Sequence, residues 1–163
     1  MQKVDPDTML AGLSKLANAQ AEVKDRTELL DVAASTAGTI IGHKLFTVMA
    51  FHESTMEVER LFSNQPDAYP TGGRKKKRDT EWGRQVLERG KPYIGRSADD
   101  IRKHFNDHRV ILKLGLESIL NMPIRIGGKT VGTINLLHEA DYYSEKDITS
   151  AQLIVGLLAG RFA

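Results

Sequence analysis

The sequence predicts an α+β fold in which an antiparallel β-sheet has helices on both faces. The main observation is the pair Gly127-Gly128, which separates two apolar runs rich in β-branched residues. Glycine reaches the positive φ angles of a two-residue turn, so these runs predict a hairpin over residues 118–138. Because tight hairpins join antiparallel strands, the sheet is expected to be antiparallel. Apolar residues with helical spacing near both ends of the chain predict the flanking helices.

Composition excludes several kinds of chemistry. The 163 residues suit one domain and include no cysteine, so disulfides, thiolate metal ligands, thiol nucleophiles and thioether-linked cofactors are all excluded. The start of the chain has no signal-peptide pattern, and no apolar run approaches the ~20 residues of a membrane span. We therefore expect a cytoplasmic domain that does not contact a membrane. A formal net charge of +2 is too small to favour a nucleic-acid partner.

A short helix with one apolar stripe is predicted first, with Met9, Leu13 and Leu16 at helical spacing. We treat residues 1–24 as an N-terminal helical extension of a domain that spans residues 25–163.

The domain opens with a longer helix. Asp25 and Glu28 have the spacing of a capping box, and the helix is expected to end near Gly42. A strand over Lys44–Glu53 and a second over Glu57–Ser63 predict the first hairpin.

Residues 64–79 are the least regular stretch. Turn residues followed by five consecutive basic residues predict a mobile surface loop. The remaining predicted elements are a helix over Thr80–Arg89, a strand at Tyr93-Ile94, a helix over Asp99–Lys113, the hairpin with Ile126 paired to Lys129, and a final helix over Glu145–Arg161.

The run GGKTVGTINL at residues 127–136, followed by an apolar C-terminal helix, resembles the end of a GAF domain, a small sensory α+β module. The resemblance extends from about Asp25 to the end of the chain. It implies terminal helices on one side of the sheet and, on the other side, middle helices and a loop over a pocket. Members of this family generally bind a small molecule in that pocket and often dimerise through terminal helices.

The basic run Arg74-Lys75-Lys76-Lys77-Arg78 has two main interpretations. A solvated loop is the simpler one, because like charges repel and stay exposed. The alternative is an anion site in which Arg74, which follows the Gly72-Gly73 bend, holds a carboxylate or phosphate in bidentate fashion. Nucleic acid is a weaker third interpretation, since no aromatic residues interleave the run.

Aromatic residues of the middle segment are candidate pocket walls, because small-molecule sites combine such walls with a few polar groups. They are Tyr69, Trp82, Tyr93 and Phe105. For Trp82 an ordinary core position is the default, since Val86 follows one helical turn later.

His104 and His108 lie four residues apart on the predicted helix and would face the same side. Such a pair can supply two metal ligands, but the sequence offers no evident third ligand. Packing or hydrogen bonding is the favoured interpretation, and we predict no metal. In the pocket either histidine would act as a proton-sensitive donor.

Asn121 and Asn135 are polar residues within the apolar hairpin. A plain two-residue turn pairs Asn121 with Ile134 and places the two asparagines on opposite faces of the sheet. Each is either satisfied by local backbone or presented to a ligand. One bulge, which Pro123 favours, would exchange which asparagine faces the pocket.

The preferred function is a non-catalytic small-molecule sensor whose ligand is a small polar or anionic metabolite. The alternative is a dimerisation or scaffold module without a ligand. An enzyme is disfavoured because no nucleophile–base pair or carboxylate pair is recognisable. The absence of cysteine argues against the family's methionine sulfoxide reductases and its thioether-linked bilin photoreceptors, and the sequence selects no cofactor.

We expect a homodimer through the terminal helices, because the apolar residues of the last helix cover more than one stripe. These residues are Ile148, Ala151, Leu153, Ile154, Leu157, Leu158 and Phe162. With no output module in the sequence, a separate signalling protein is expected as a partner.

Overall fold

The computed structural model describes residues 4–162, so residues 1–3 of the predicted extension and Ala163 lie outside the described part. Six strands form one antiparallel sheet: β1 (Leu45–His52), β2 (Glu57–Ser63), β3 (Arg74–Lys76), β4 (Tyr93–Gly95), β5 (Ser118–Ile126) and β6 (Lys129–His138). Their spatial order is β3-β2-β1-β6-β5-β4. The predicted fold class and the pairing of Ile126 with Lys129 are confirmed.

Helices cover both faces of this sheet. They are α1 (Pro6–Glu22), α2 (Arg26–Ile40), the short α3 (Glu81–Gly83) with a π-helical turn at Arg84–Glu88, α4 (Ala98–His104), α5 (His108–Lys113), and α6 (Glu145–Leu158) with a 3-10 turn at Ala159–Phe162. Asp5 caps α1 and Asp25 caps α2, and Ser144 and Asp147 form a capping box at α6. Within residues 4–162, no helix has the length and apolar character that crossing a membrane requires.

The larger core lies between the sheet and the terminal helices α1, α2 and α6. Leu16 of α1 is fully buried there beside α2 and strand residues such as Phe46 and Ile134. Ile154 of α6 is also fully buried, so this helix packs much of its apolar surface against the rest of the same chain. Leu153, by contrast, remains 47% exposed.

Two β-bulges decide which strand residues face which layer. Ile124 pairs with Gly132 but Arg125 pairs with Thr130, which leaves Val131 as an extra residue in β6. Asn121 therefore pairs with Asn135, and the predicted pairing of Asn121 with Ile134 was wrong by one residue. Because direct cross-strand partners share a face, the two asparagines lie on the same side of the sheet.

The second bulge lies between β1 and β2. Val48 pairs with Phe62, and the next residue, Met49, pairs with Arg60, which leaves Leu61 unpaired. Phe62 consequently packs in the core under the terminal helices, whereas Arg60 faces the opposite layer.

Two further expectations need correction. The start of the basic run is not a loop but the edge strand β3, whose Arg74 lies opposite Glu59 in β2, so opposite charges favour the pairing. The helix predicted over residues 99–113 is two helices, because the chain is extended at Phe105, whose ring packs against Trp82. His104 and His108 therefore do not share one helix face.

The burial of α1 yields a matched test on a single helix. Leu16→Ala should lower the free energy of unfolding by about 2–5 kcal/mol, because it opens a cavity in the core. Lys15 is exposed on the same helix, so Lys15→Ala should change stability by less than about 0.5 kcal/mol. Urea unfolding of both variants is the measurement. Equal effects would mean that α1 is not part of the cooperative core.

Candidate functional site

A cavity of about 440 Å³ lies on the face of the sheet that the terminal helices leave uncovered. Strands β1, β2, β5 and β6 form its floor, and the segment from residue 69 to α5 forms its walls. Of the predicted site residues, the cavity is lined by Tyr69, Trp82, His104, Phe105, Asn121 and Asn135. Three others, Arg74, Tyr93 and His108, are not part of its lining.

A chain of side-chain hydrogen bonds crosses the cavity floor. The indole Nε1 of Trp82 donates to Oδ1 of Asn121 at 3.0 Å, and Nδ2 of Asn121 donates to Oδ1 of Asn135 at 2.7 Å. Nδ2 of Asn135 then donates to Oγ1 of Thr47 at 3.1 Å. The two asparagines are 1% and 9% exposed, so these bonds offset the cost of burying their amides. The relay fastens α3 to three strands of the sheet.

Arg60 is a cavity residue that the sequence did not indicate. Its guanidinium lies 3.9 Å from the centre of the Tyr69 ring, and its Nη1 donates to the carbonyl of Pro70 at 2.9 Å. Burial lowers the pKa of Arg60, and the negative charge of Asp107 opposes that effect. Within residues 4–162, no carboxylate lies within ion-pair distance of this guanidinium. Arg60 thus brings a partly buried positive charge to the cavity without a paired anion.

Asp107 is the carboxylate of the cavity wall. It stands at the N-cap of α5, and its side chain accepts a hydrogen bond from the hydroxyl of Tyr69. Burial raises the pKa of Asp107, while the charges of Arg60 and His108 act in the opposite direction. The Tyr69–Asp107 contact connects the loop before β3 to the break between α4 and α5.

The basic run supplies the rest of the charge. Besides Arg60, the cavity is lined by Lys75, Lys76, Lys77 and Arg78, against the single carboxylate of Asp107 among the described lining residues. Two of these are engaged: Nζ of Lys76 donates to the carbonyl of Thr55 at 2.7 Å, and Nζ of Lys77 lies 3.2 Å from Glu88. The cavity therefore has a surplus of positive charge.

Arg74, the predicted anion anchor, lies in β3 and pairs with carboxylates of β2. Its guanidinium is 3.6 Å from Glu59 and 3.9 Å from Glu57. It also remains half-exposed, with 51% of its side-chain surface accessible. Two carboxylates therefore already lie within ion-pair distance of this guanidinium.

The other predicted residues form the aromatic side of the site. The rings of Trp82 and Phe105 meet edge to face with centroids 5.5 Å apart. The ring centroids of His104 and Tyr93 are 4.9 Å apart. The pKa of His104 is lowered by burial and by the charge of Lys103. In the described part of the chain, no group of three or more His, Asp or Glu side chains is arranged to hold a metal ion.

Comparison with protein-family models matches the GAF domain over residues 23–160. The chain therefore belongs to the GAF domain family, whose members are small-molecule-binding and signalling domains and are generally regulatory rather than catalytic. No match was found among curated protein sequences.

Solved structures share the fold at low sequence identity. The GAF domain of a phosphoenolpyruvate-protein phosphotransferase from Coxiella burnetii has a TM-score of 0.75 and 15% identity, and the match covers 96% of this chain and 94% of that one. The corresponding Acinetobacter domain has a TM-score of 0.76 and 13% identity, with coverage of 94% and 92%. The phycocyanobilin-bound GAF domain of a cyanobacterial phytochrome has a TM-score of 0.73 and 15% identity, with coverage of 99% and 96%.

The raised pKa of Asp107 predicts a pH-dependent stability difference. In the folded state its carboxyl binds a proton more readily than at the ordinary pKa of 3.8, so ionising it destabilises the fold as the pH rises above that value. Asp107→Asn keeps an oxygen that can accept from Tyr69 and removes the buried charge. The variant should be more stable than the wild type at neutral pH, and this advantage should disappear in acid.

Urea unfolding from acid to neutral pH measures this difference. Asp67→Asn is the control, because Asp67 is exposed in the loop before β3. A lower stability of Asp107→Asn at neutral pH would mean that attraction to Arg60 outweighs the cost of burial.

Proposed function

We propose that this GAF domain is a non-catalytic sensor that binds a small anionic metabolite in the central cavity. The observation that carries the proposal is Arg60, a partly buried guanidinium on the cavity wall with no carboxylate in ion-pair contact among residues 4–162. A charge removed from water is stabilised by an opposite charge, and an arginine binds carboxylates and phosphates well. An anionic ligand would supply that missing partner.

The roles of the other cavity residues follow from their contacts. Arg60, rather than Arg74, would hold the anionic group, because Arg74 already pairs with two glutamates. Lys75 and Arg78 would raise the local concentration of anions at the entrance. The remaining predicted residues of the lining would form the walls and orient the ligand: Tyr69, Trp82 and Phe105 as walls, Asn121 and Asn135 at the floor, and His104 as a donor. The ring of Tyr93 packs against His104 and would support it, whereas His108 has no role in the proposed site.

The cellular setting is part of the same proposal. A cysteine-free composition fits a cytoplasmic domain, and a separate signalling protein would receive the signal. Related folds occur in signalling proteins, such as a methyl-accepting chemotaxis protein. A GAF domain of similar fold is bound to phycocyanobilin, which supports the capacity of this fold for small molecules.

The anion preference of the cavity can be measured at Trp82, the single tryptophan of the chain. Iodide and caesium both quench tryptophan fluorescence but carry opposite charges. Because cationic side chains line the cavity, the ratio of iodide quenching to caesium quenching at low ionic strength should be several-fold higher for Trp82 than for free N-acetyltryptophanamide. Arg60→Met, which keeps an unbranched apolar side chain, should reduce that ratio clearly.

Arg102→Met is the matched control, because Arg102 is exposed on α4 and pairs with Asp99 outside the cavity. Its quenching ratio should equal that of the wild type. A wild-type ratio no higher than that of free N-acetyltryptophanamide would contradict the anion site and favour the scaffold function.

A homodimer through the terminal helices is the second part of the proposal. Leu10 of α1 and Leu153 of α6 are 66% and 47% exposed, and both lie on helices that pack against each other. Large apolar side chains exposed in this way favour a contact with a second copy.

Light scattering after size exclusion tests this dimer. The wild type should be dimeric at micromolar concentration, and the double variant Leu10→Asp with Leu153→Asp should be monomeric. Val110→Asp is the control, because Val110 is 43% exposed but lies on α5, away from the terminal helices. A monomeric wild type would rule out the dimer.

A further inference from the structure

We propose that the ligand of this cavity is an aromatic anion, with one acidic group at Arg60 and a flat apolar body against Trp82 and Phe105. This inference rests on the proposed function, since it assumes that an anion binds in the cavity. It adds the chemistry of the rest of the ligand and favours an amphipathic acid over a small, wholly polar metabolite.

The size of the cavity is the first reason. Its volume is about 440 Å³, which corresponds to about fifteen water molecules at ~30 Å³ each. Inorganic phosphate or a short dicarboxylate would displace only a few of them. A ligand of two fused or linked rings would fill far more of the space and release more water from apolar walls.

The chemistry of the walls is the second reason. On the sheet, Arg60 is flanked by the apolar side chains of Val58 and Met49, which also line the cavity. Ile119 of β5 and Leu137 of β6 also line the cavity with apolar side chains, and each residue is only 3% exposed. Beside the cation of Arg60, the sheet therefore offers apolar surface against which a hydrocarbon body can pack.

The rings of Trp82 and Phe105 determine which shape of apolar ligand fits the cavity. The rings of Trp82 and Phe105 stand at 66° to each other, so a flat ligand can lie on one ring while its edge meets the other. The amide of Asn121 holds the indole in this orientation through its bond to Nε1. A rigid aromatic wall of this kind loses little entropy when a ring packs on it.

The polar floor is the third reason. The bonds that join Trp82 to Asn121, Asn121 to Asn135 and Asn135 to Thr47 satisfy both amide oxygens inside the protein. Because each buried amide already has partners in this relay, the floor does not require a polar ligand to offset the burial of its amides. An apolar body can lie over the relay without breaking it.

A matched pair of fluorescent probes tests the inference: 1-anilinonaphthalene-8-sulfonate and N-phenyl-1-naphthylamine, which differ by the sulfonate. The wild type should bind the sulfonate at least roughly tenfold more tightly than the neutral amine, because the anion gains a charge-assisted contact with Arg60. Binding is followed by energy transfer from Trp82 to the probe, which reports proximity to the cavity. Inorganic phosphate should not displace the probe at equal concentration.

Three variants and one control distinguish the acidic group of the ligand from its aromatic body. Arg60→Met should weaken binding of the sulfonate probe to the affinity of the neutral amine and leave the affinity of the amine unchanged. Phe105→Ala should weaken both probes, and Phe105→Leu, which keeps apolar volume, should restore part of the loss and guard against misfolding. Arg102→Met should bind both probes like the wild type.

The failures of the two proposals are distinguishable. If phosphate or succinate bound more tightly than the sulfonate probe, and this binding required Arg60, the proposed aromatic body of the ligand would be wrong. The proposed anion site would still hold. Equal binding of both probes, unchanged by Arg60→Met, would contradict the anionic ligand and therefore the proposed function. Probe binding that Phe105→Ala leaves unchanged would indicate adsorption elsewhere and would overturn the aromatic body.

Discussion

The cavity depends on the contact between the side chains of Asn121 and Asn135, which face each other across β5 and β6 at 2.7 Å. Both amides are almost completely buried, and a buried amide without a partner costs about 1–3 kcal/mol. Without the extra residue Val131 in β6 they would lie on opposite faces of the sheet, one of them within the core under the terminal helices. The bulge is therefore a requirement of the site, since it brings both amides to the floor and lets Trp82 bond to one of them.

The sequence was sufficient to predict the layers but not this register. The Gly127-Gly128 turn, the hairpin and the apolar helices are local patterns, and each was found in the structure near its predicted place. Pro123 indicated that a bulge between β5 and β6 was possible, but its presence and its position at Val131 depend on how the strands pair. A further signal was Gly132: a side chain there would collide with the carbonyl of Met49 in β1, and glycine within a strand often marks a bulge.

The charge distribution of the site was likewise only partly predictable from the sequence. The run of basic residues indicated positive potential near the pocket, but the sequence does not tell which cation has a counter-charge. Arg74 is paired with Glu57 and Glu59, which lie more than ten residues earlier and approach it only through the pairing of β2 with β3. Simple alternation along β2 places Arg60 with Phe62 on one face, and only the bulge at Leu61 separates them. The sequence therefore did not reveal that Arg60 lines the cavity, because its position depends on the pairing of β1 with β2.

The two layers of the domain differ in how many buried contacts hold them. Long helices and most of the fully buried apolar side chains lie on the face of α1, α2 and α6, whereas the cavity face has helices of three to seven residues, a π-helical turn and small apolar clusters. Parts of a protein with few buried contacts open at low free-energy cost, and ligand-binding segments generally belong to them. The relay from Trp82 and the ion pair between Lys77 and Glu88 are thus important restraints on α3 and its π-helical turn. Since Trp82 and Lys77 both line the cavity, an occupant contacts the same side chains that hold this segment in place.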